Sequence, residues 1–260
     1  MLKITIAIKY FLHNKIETFY FPESFSELTK EQWCAYYLFL MEDIDKGQLL
    51  WRFLQGNEKF KATIPGDRIA DIEDLLMFIY NEPAPEWYIN TLETKEGKLI
   101  GPFAEFKNLT CGEFAYADTY YSAYFETKDE SYIDKCLAVL MREEDPEANE
   151  QRKDWKGDHR IIFNENHIDR RAALISNIPA EIKMAAMFNY SIIREKIEKR
   201  YIWIFQKASS DTPDKKSGWD KVMRGMCQGD LTKLNDIFFI PLYTFFDELN
   251  DTIKANLNKS

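Results

Sequence analysis

Glycine and proline are scarce, at 10 and 9 of 260 residues. So few turn formers argue against a disordered chain and against a turn-rich all-β sandwich. The glycines are also scattered. Neither GxGxxG nor the P-loop pattern GxxxxGKS/T occurs, so no glycine-rich loop can aim several backbone N–H groups at a phosphate, which excludes those nucleotide sites. Cysteine is limited to Cys34, Cys111, Cys136 and Cys227. No two of them make a CxxC knuckle, and each lies in an apolar or helical context. Buried free thiols are expected, not a disulfide framework. No apolar run reaches the roughly 18 residues of a membrane span. The opening residues have no basic head followed by an apolar core, so no secretory signal is expected and the chain should remain in the cytoplasm.

What is present is ordinary globular composition, 45% hydrophobic and 30% charged, with an unusual 15% of aromatics. Such aromatic area predicts a large core, or a core plus adhesive surfaces. The net charge is −9 and uneven. Residues 190–260 hold 12 Lys and Arg against 10 Asp and Glu, a balance of +2, so the remainder carries −11. An acidic body disfavours nucleic acid, because phosphate neutralisation needs clustered Lys and Arg. It suits docking onto a basic partner.

The pattern predicts a mainly α (α+β) fold, a multi-helix bundle decorated by two small β-hairpins. Ile4, Ile6 and Ile8 alternate with Lys3, Thr5 and Lys9, which reads as a strand. Residues 2–21 form the first hairpin, broken at His13, Asn14 and Lys15. Thr29 with Gln32 is a capping box opening a nearly all-apolar helix to residue 41. Asp45 caps a second helix, 46–55, and residues 67–80 make a third. Pro83 and Pro85 precede the second hairpin, near residues 86–101, turning at Lys95, Glu96 and Gly97. Thr110 with Glu113 is another capping box, starting a helix to about residue 125. Residues 129–141 follow as its antiparallel partner. Helices are also expected at 166–176, 179–206 (Pro179 in its first turn), 219–227, 231–240 and 242–256. The polar stretch 143–160 reads as an exposed loop or linker between an N-terminal part, 1–142, and a C-terminal helical part, 161–260. One continuous domain is the alternative.

Catalytic patterns are sparse. GxSxG, HExxH and helical ExxH are missing, which removes nucleophile-elbow, zincin and di-iron bundle readings. No cofactor is expected. His167 with Asp169 can ligate a divalent ion only if further ligands arrive from elsewhere, and a helix start explains the pair more simply. Glu113 and Asp118 sit among Phe114, Tyr116, Tyr120 and Tyr121. Burial there can raise a carboxyl pKa as a general acid requires. A helix cap for one and a tyrosine hydroxyl partner for the other are the plainer expectation. Residues 219–243 mimic a helix-turn-helix. Their second helix offers bases only Lys233 and Asn235 and ends in Ile237, Phe238, Phe239 and Ile240, unlike a recognition helix. The tyrosines at 116, 120, 121 and 124 fall on more than one helix face, so some should be exposed. Candidate protein-contact residues are Trp33, Tyr36, Tyr120, Tyr121, Tyr124, Trp203 and Phe245.

Three segments, 21–32 (FPESFSELTKEQ), 103–114 (FAEFKNLTCGEF) and 219–224 (WDKVMR), taken in order along the chain, resemble uncharacterised proteins encoded in tail-gene neighbourhoods of phages and prophages of Bacteroidetes bacteria. Some proteins in such neighbourhoods look like tail assembly chaperones or minor virion components. The resemblance implies a non-enzymatic assembly or interaction protein in the bacterial host cytoplasm or the virion, with a phage tail or virion protein as partner. It assigns no residue a role. Two other classes stay open: a small hydrolase-type or metal-dependent enzyme with its site near Glu113, Asp118 or His167, and a DNA-associated factor using residues 166–243.

Overall fold

The computed structural model describes residues 2–9, 14–54, 74–81, 89–151, 157–205, 218–227 and 230–257. Its contacts divide the chain into two units, Met1–Tyr88 and Ile89–Ser260. The described residues are mainly helical, with eleven α-helices, a two-stranded hairpin and a three-stranded sheet.

In the first unit, β1 (Leu2–Lys9) pairs antiparallel with β2 (Asn14–Phe21) in the register Leu2↔Phe21 to Lys9↔Asn14. The expected break at His13 lies outside the described residues, while Asn14 and Lys15 belong to β2. α1 (Lys30–Leu40) and α2 (Lys46–Phe53) start with complete capping boxes, Thr29 with Gln32 and Asp45 with Gln48. Gln32 acts twice. Its Oε1 accepts the Thr29 N–H at 2.7 Å, and its Nε2 donates to the Phe53 carbonyl at 2.7 Å. One buried amide thus caps α1 and satisfies a carbonyl at the end of α2. Phe25, Trp33, Tyr36, Phe53 and the Phe78 of α3 (Phe78–Asn81) form the aromatic core. Of the third helix expected over 67–80, the described part is a 3-10 turn, Asp74–Met77, leading into α3.

In the second unit, β3 (Thr91–Thr94) and β4 (Gly97–Ile100) form the second hairpin around Lys95 and Glu96. Gly97 lies at φ 129°, a backbone angle that favours glycine. A third strand, β5 (Arg142–Glu143), extends this sheet, and Glu144 bridges to Arg160 beyond it. α4 (Cys111–Thr127) and α5 (Ser131–Leu140) form the antiparallel pair. The cap of α4 is the complete Thr110–Glu113 box. It closes at Lys128, in left-handed conformation, whose N–H returns to the Tyr124 carbonyl at 2.7 Å. α6 (Ile168–Ile175) and the long α7 (Ala180–Arg200) pack against α5. α7 stops at Tyr201, short of the expected 206, and α8 (Ile202–Phe205) follows. α9 (Trp219–Met226), a 3-10 turn, Leu231–Lys233, the short α10 (Leu234–Phe238) and α11 (Leu242–Leu257) complete it. Two backbone bonds tie α11 to the start of α4, Cys111 N–H to the Ile240 carbonyl and Leu242 N–H to the Leu109 carbonyl, both at 2.9 Å. The core holds Phe106, Phe114, Tyr190, Phe245 and Phe246, each at most 1% exposed.

The expected boundary at 143–160 is corrected. The chain divides near residue 88, and the described parts of 143–160 belong to the second unit, through β5 and the Glu144–Arg160 bridge. Polar composition suggested solvent, and Glu144, Glu147 and Glu150 are exposed, but Glu143, Asp158 and Arg160 meet opposite charges. Among the described residues, no helix is long and apolar enough to cross a membrane.

Candidate functional site

The capping box of α4 places Glu113 in its first turn, 2% exposed. One carboxylate oxygen, Oε2, accepts the Thr110 N–H at 2.8 Å. The other, Oε1, faces Nη2 of Arg142 at 2.7 Å and Nη2 of Arg160 at 3.3 Å. Arg160 forks onto Asp158, with Nε to Oδ1 at 2.9 Å and Nη2 to Oδ2 at 2.7 Å, and gives Nη1 to the Leu140 carbonyl. Arg142 reaches the same Asp158 at 2.9 Å. A second cluster adjoins it on β5, where Arg171 donates Nε to Glu143 at 2.7 Å, and the exposed Arg170 spans Glu143 and Glu96. Burial pulls the Arg142 guanidinium down to about 10, with Glu113 opposing that fall and Arg160 adding to it. Burial raises the Glu143 carboxyl, but its own backbone N–H and Arg171 outweigh this and hold it below the ordinary value.

One and a half turns further along α4, Asp118 anchors another buried set. Its Oδ1 accepts from Arg194 Nε of α7 and from the Tyr190 hydroxyl at 3.4 Å, and its Oδ2 accepts the Trp219 indole N–H at 2.8 Å. Burial opposes the charge on Arg194, but Asp118 beside it lifts the guanidinium above its ordinary value. The expected cap for Glu113 and tyrosine partner for Asp118 are both present. Arg142, Arg160, Arg194 and Trp219 were not foreseen as their partners. Every oxygen of both carboxylates is already engaged by at least one donor. His167 is exposed where a 3-10 turn runs into α6, away from ring or ion-pair partners among the described residues. No group of three or more His, Cys, Asp and Glu able to hold a metal occurs among the described residues. All four cysteines are free and buried, and burial pushes the Cys111 thiol up to about 12.

Between these two buried sets lies an open groove of about 690 Å³. α4 supplies Ala115, Tyr116, Thr119 and Tyr120 to one wall. Trp219, Asp220 and Met223 of α9, with Leu234, Asn235, Phe238 and Phe239 in and after α10, supply the other, and Glu165 sits on the lining too. The walls are braced from beneath. The Trp219 indole is pinned by Asp118. Phe163 stacks on Phe238 at 5.8 Å, meets Tyr116 at 5.7 Å, and lies under the Arg142 guanidinium at 5.9 Å. Phe238 also fills the space beside Gly112, where a Cβ would come within 2.4 Å of its ring. Glycine in the first turn of α4 is therefore a packing requirement. Burial, then the carboxylates of Glu165 and Asp220 among neighbouring groups, raise the Tyr116 phenol.

The seven candidate contact residues separate. Trp33 and Tyr36 are in the first unit's core and Phe245 is in the second's, at 0%, 6% and 1% exposure, so they are corrected to core. α1 buries every residue from 32 to 37, α11 turns its one stripe of Leu242, Phe245, Phe246 and Leu249 inward, and aromatic density alone does not tell an anchor from a core residue. Tyr121 packs on Tyr190 beneath Arg194, and Tyr124 is half-buried beside Lys128. Trp203 is 36% exposed on α8. Only Tyr120 lines the groove. The i, i+3, i+4 spacing of Tyr116, Thr119 and Tyr120 was legible as one strip of a helix. Its pairing with Trp219, a hundred residues on, has no local signal. The proposed recognition segment also differs, since its second helix is a 3-10 turn and five residues of α10, with Ile237 buried and Phe238 held against α4. Comparison with known family models, with curated proteins and with solved structures finds no match.

Proposed function

We propose that this chain is a non-enzymatic protein-interaction or assembly protein of phage origin, tail assembly chaperone-like or virion-associated, that holds another protein in the groove beside α4. The phage assignment rests on the resemblance of segments 21–32, 103–114 and 219–224. The observation that carries the mode of action is the groove, an open concave surface of aromatic side chains set on rigid helices, the usual make-up of protein-contact hot spots. Supporting it, the nearby carboxylates are spent on structure. Glu113 and Asp118 brace the walls with all four oxygens engaged, which weighs against the enzyme reading centred on them.

Thr119 is exposed on the groove wall, and among the described residues its hydroxyl bonds only to the Ala115 carbonyl one turn back. Thr119→Arg puts a long cation into the groove without touching the core. Recovery of the partner when the tagged chain is purified from its producing bacterium should fall at least about tenfold, the effect of blocking a central contact. Glu195→Ala, on an exposed stretch of α7, should leave it unchanged. A partner retained equally by Thr119→Arg, or no stoichiometric partner with the unaltered chain, overturns the reading.

A further inference from the structure

The groove has a sign. Among the described residues its lining includes two carboxylates, Glu165 and Asp220, and no lysine or arginine. Glu165 is exposed with no cation in ion-pair contact among the described residues. Among the described residues Asp220 meets only Arg224, one helical turn along α9 at 3.0 Å, with both side chains more than half exposed. Such a solvated pair holds little energy and leaves the carboxylate available. Among the described cations, Lys135 pairs with Asp169 at 3.3 Å and lies 5.9 Å from the Tyr120 ring, Lys233 pairs with Asp230 at 3.5 Å, and Lys221 is exposed beside Asp220 on α9. The surfaces beside the carboxylates are the aromatic rings of Tyr116, Tyr120 and Trp219. Ring faces attract cations through their quadrupoles, and carboxylates nearby add to that attraction. A volume near 690 Å³ matches a few side chains of a short segment, as small-ligand clefts do, and is too small to enclose a folded domain.

Resting on the reading above, we propose that the groove receives a short cationic segment of the partner protein, with a Lys or Arg side chain lying across Tyr116 toward Glu165 and Asp220 and a neighbouring apolar side chain against Trp219 and Phe239. Charge complementarity selects this occupant over an acidic or neutral segment, and the overall charge of −9 steers it in the same sense.

The test uses three fluorescein-labelled helical peptides with the same leucine and phenylalanine positions, carrying lysine, glutamine or glutamate elsewhere. Binding to the full chain is read by fluorescence anisotropy at low and at physiological salt. The lysine peptide should bind about three- to tenfold more tightly than the glutamine peptide, with the glutamate peptide weakest. Glu165→Gln combined with Asp220→Asn should bring the lysine and glutamine peptides to within about twofold. Glu195→Gln with Asp251→Asn, which removes the same charge from exposed positions outside the lining, should preserve the difference. Equal binding of the three peptides, a glutamate preference, or a lysine preference erased equally by both pairs of substitutions overturns the cationic occupant while leaving a groove that binds protein. Binding of none of the three overturns the occupant and the protein-contact reading together.

Discussion

Glu113 is the hub of a nearly dry ion cluster, and removing its charge alone should cost far more than removing a pair. In Glu113→Gln the side chain keeps its shape and can still accept the Thr110 N–H. It loses the charge facing Arg142 at 2.7 Å and Arg160 at 3.3 Å, where Arg142 is 2% and Arg160 3% exposed. At an effective dielectric of about 20 the two attractions are worth roughly 6 and 5 kcal/mol gross. Most of that offsets the desolvation of three charges, and the net loss on breaking a buried pair is about 3–5 kcal/mol. Arg142→Met alone should lose a similar amount, since it leaves Glu113 facing Arg160 alone. In the double variant the Asp158–Arg160 fork remains and no surplus charge is buried, so the loss should drop to about 1–2 kcal/mol. The coupling is then about 4 kcal/mol or more, above the usual range for contacting residues. Hydrogen exchange of the α4 amides reads the second unit without the first. Glu113→Gln should raise their exchange about a hundredfold, a loss near 3 kcal/mol. A rise below about twofold, or a double variant that exchanges as fast as the two single effects multiplied, would refute the hub.

Gly112→Ala should lose about 1–3 kcal/mol despite alanine's better helix propensity, because the new Cβ lies 2.4 Å from the Phe238 ring. The same variant should weaken peptide binding in the groove, and thermal unfolding with anisotropy on one preparation checks both. Native protein should show no thiol reactive to a chromogenic disulfide reagent at mildly alkaline pH, and four after denaturation. Above pH 9 the chain should lose stability. The Cys111 thiol has an ordinary value of 9.0 and a folded value of about 12, so unfolded chains release that proton first. Its contribution is complete below pH 9 and declines by about 1.4 kcal/mol per unit up to pH 12. Cys136 and Tyr190, also raised by burial, act in the same direction. Urea midpoints that stay flat from pH 8 to about 10.5 would contradict this.

Signals that act within one helical turn were legible. Thr29 with Gln32 and Thr110 with Glu113 announce their helices because the two bonds of a capping box join residues three apart. The boundary near residue 88 and the pairing of β5 with β4 depend on contacts between distant segments, and no local pattern records them. Residues 143–160 misled for a definite reason. A run rich in Glu, Asp, Arg and Lys reads as solvated when each charge is taken alone, yet Asp158 and Arg160 satisfy each other and then Arg142 and Glu113, the last of these 47 residues away from Arg160.

The same contacts bear on the ambiguity that Glu113 and Asp118 posed. A carboxyl embedded among aromatics fits a general acid or a structural anchor equally well by composition. What separates the two is where the neighbouring donors come from. Glu113 is met by the cap of its own helix and by arginines that start and follow β5, and Asp118 by α7 and α9. Each carboxylate thus joins elements that local bonds cannot join. Through Arg142 the first reaches Phe163, which supports Tyr116 and Phe238, and through its own Oδ2 the second holds Trp219. Those are residues of both groove walls or directly beneath them. Buried ion pairs add little net stability over apolar packing of equal volume, but they penalise every arrangement that leaves one charge unmet. A surface built to hold a partner needs its walls set before the partner arrives, since ordering them on contact would be charged against affinity. Glu113 and Asp118 fit that proposed role: through Arg142 and Trp219 they reach both walls of one groove, which leaves the half-buried aromatics, Glu165 and Asp220 for contact.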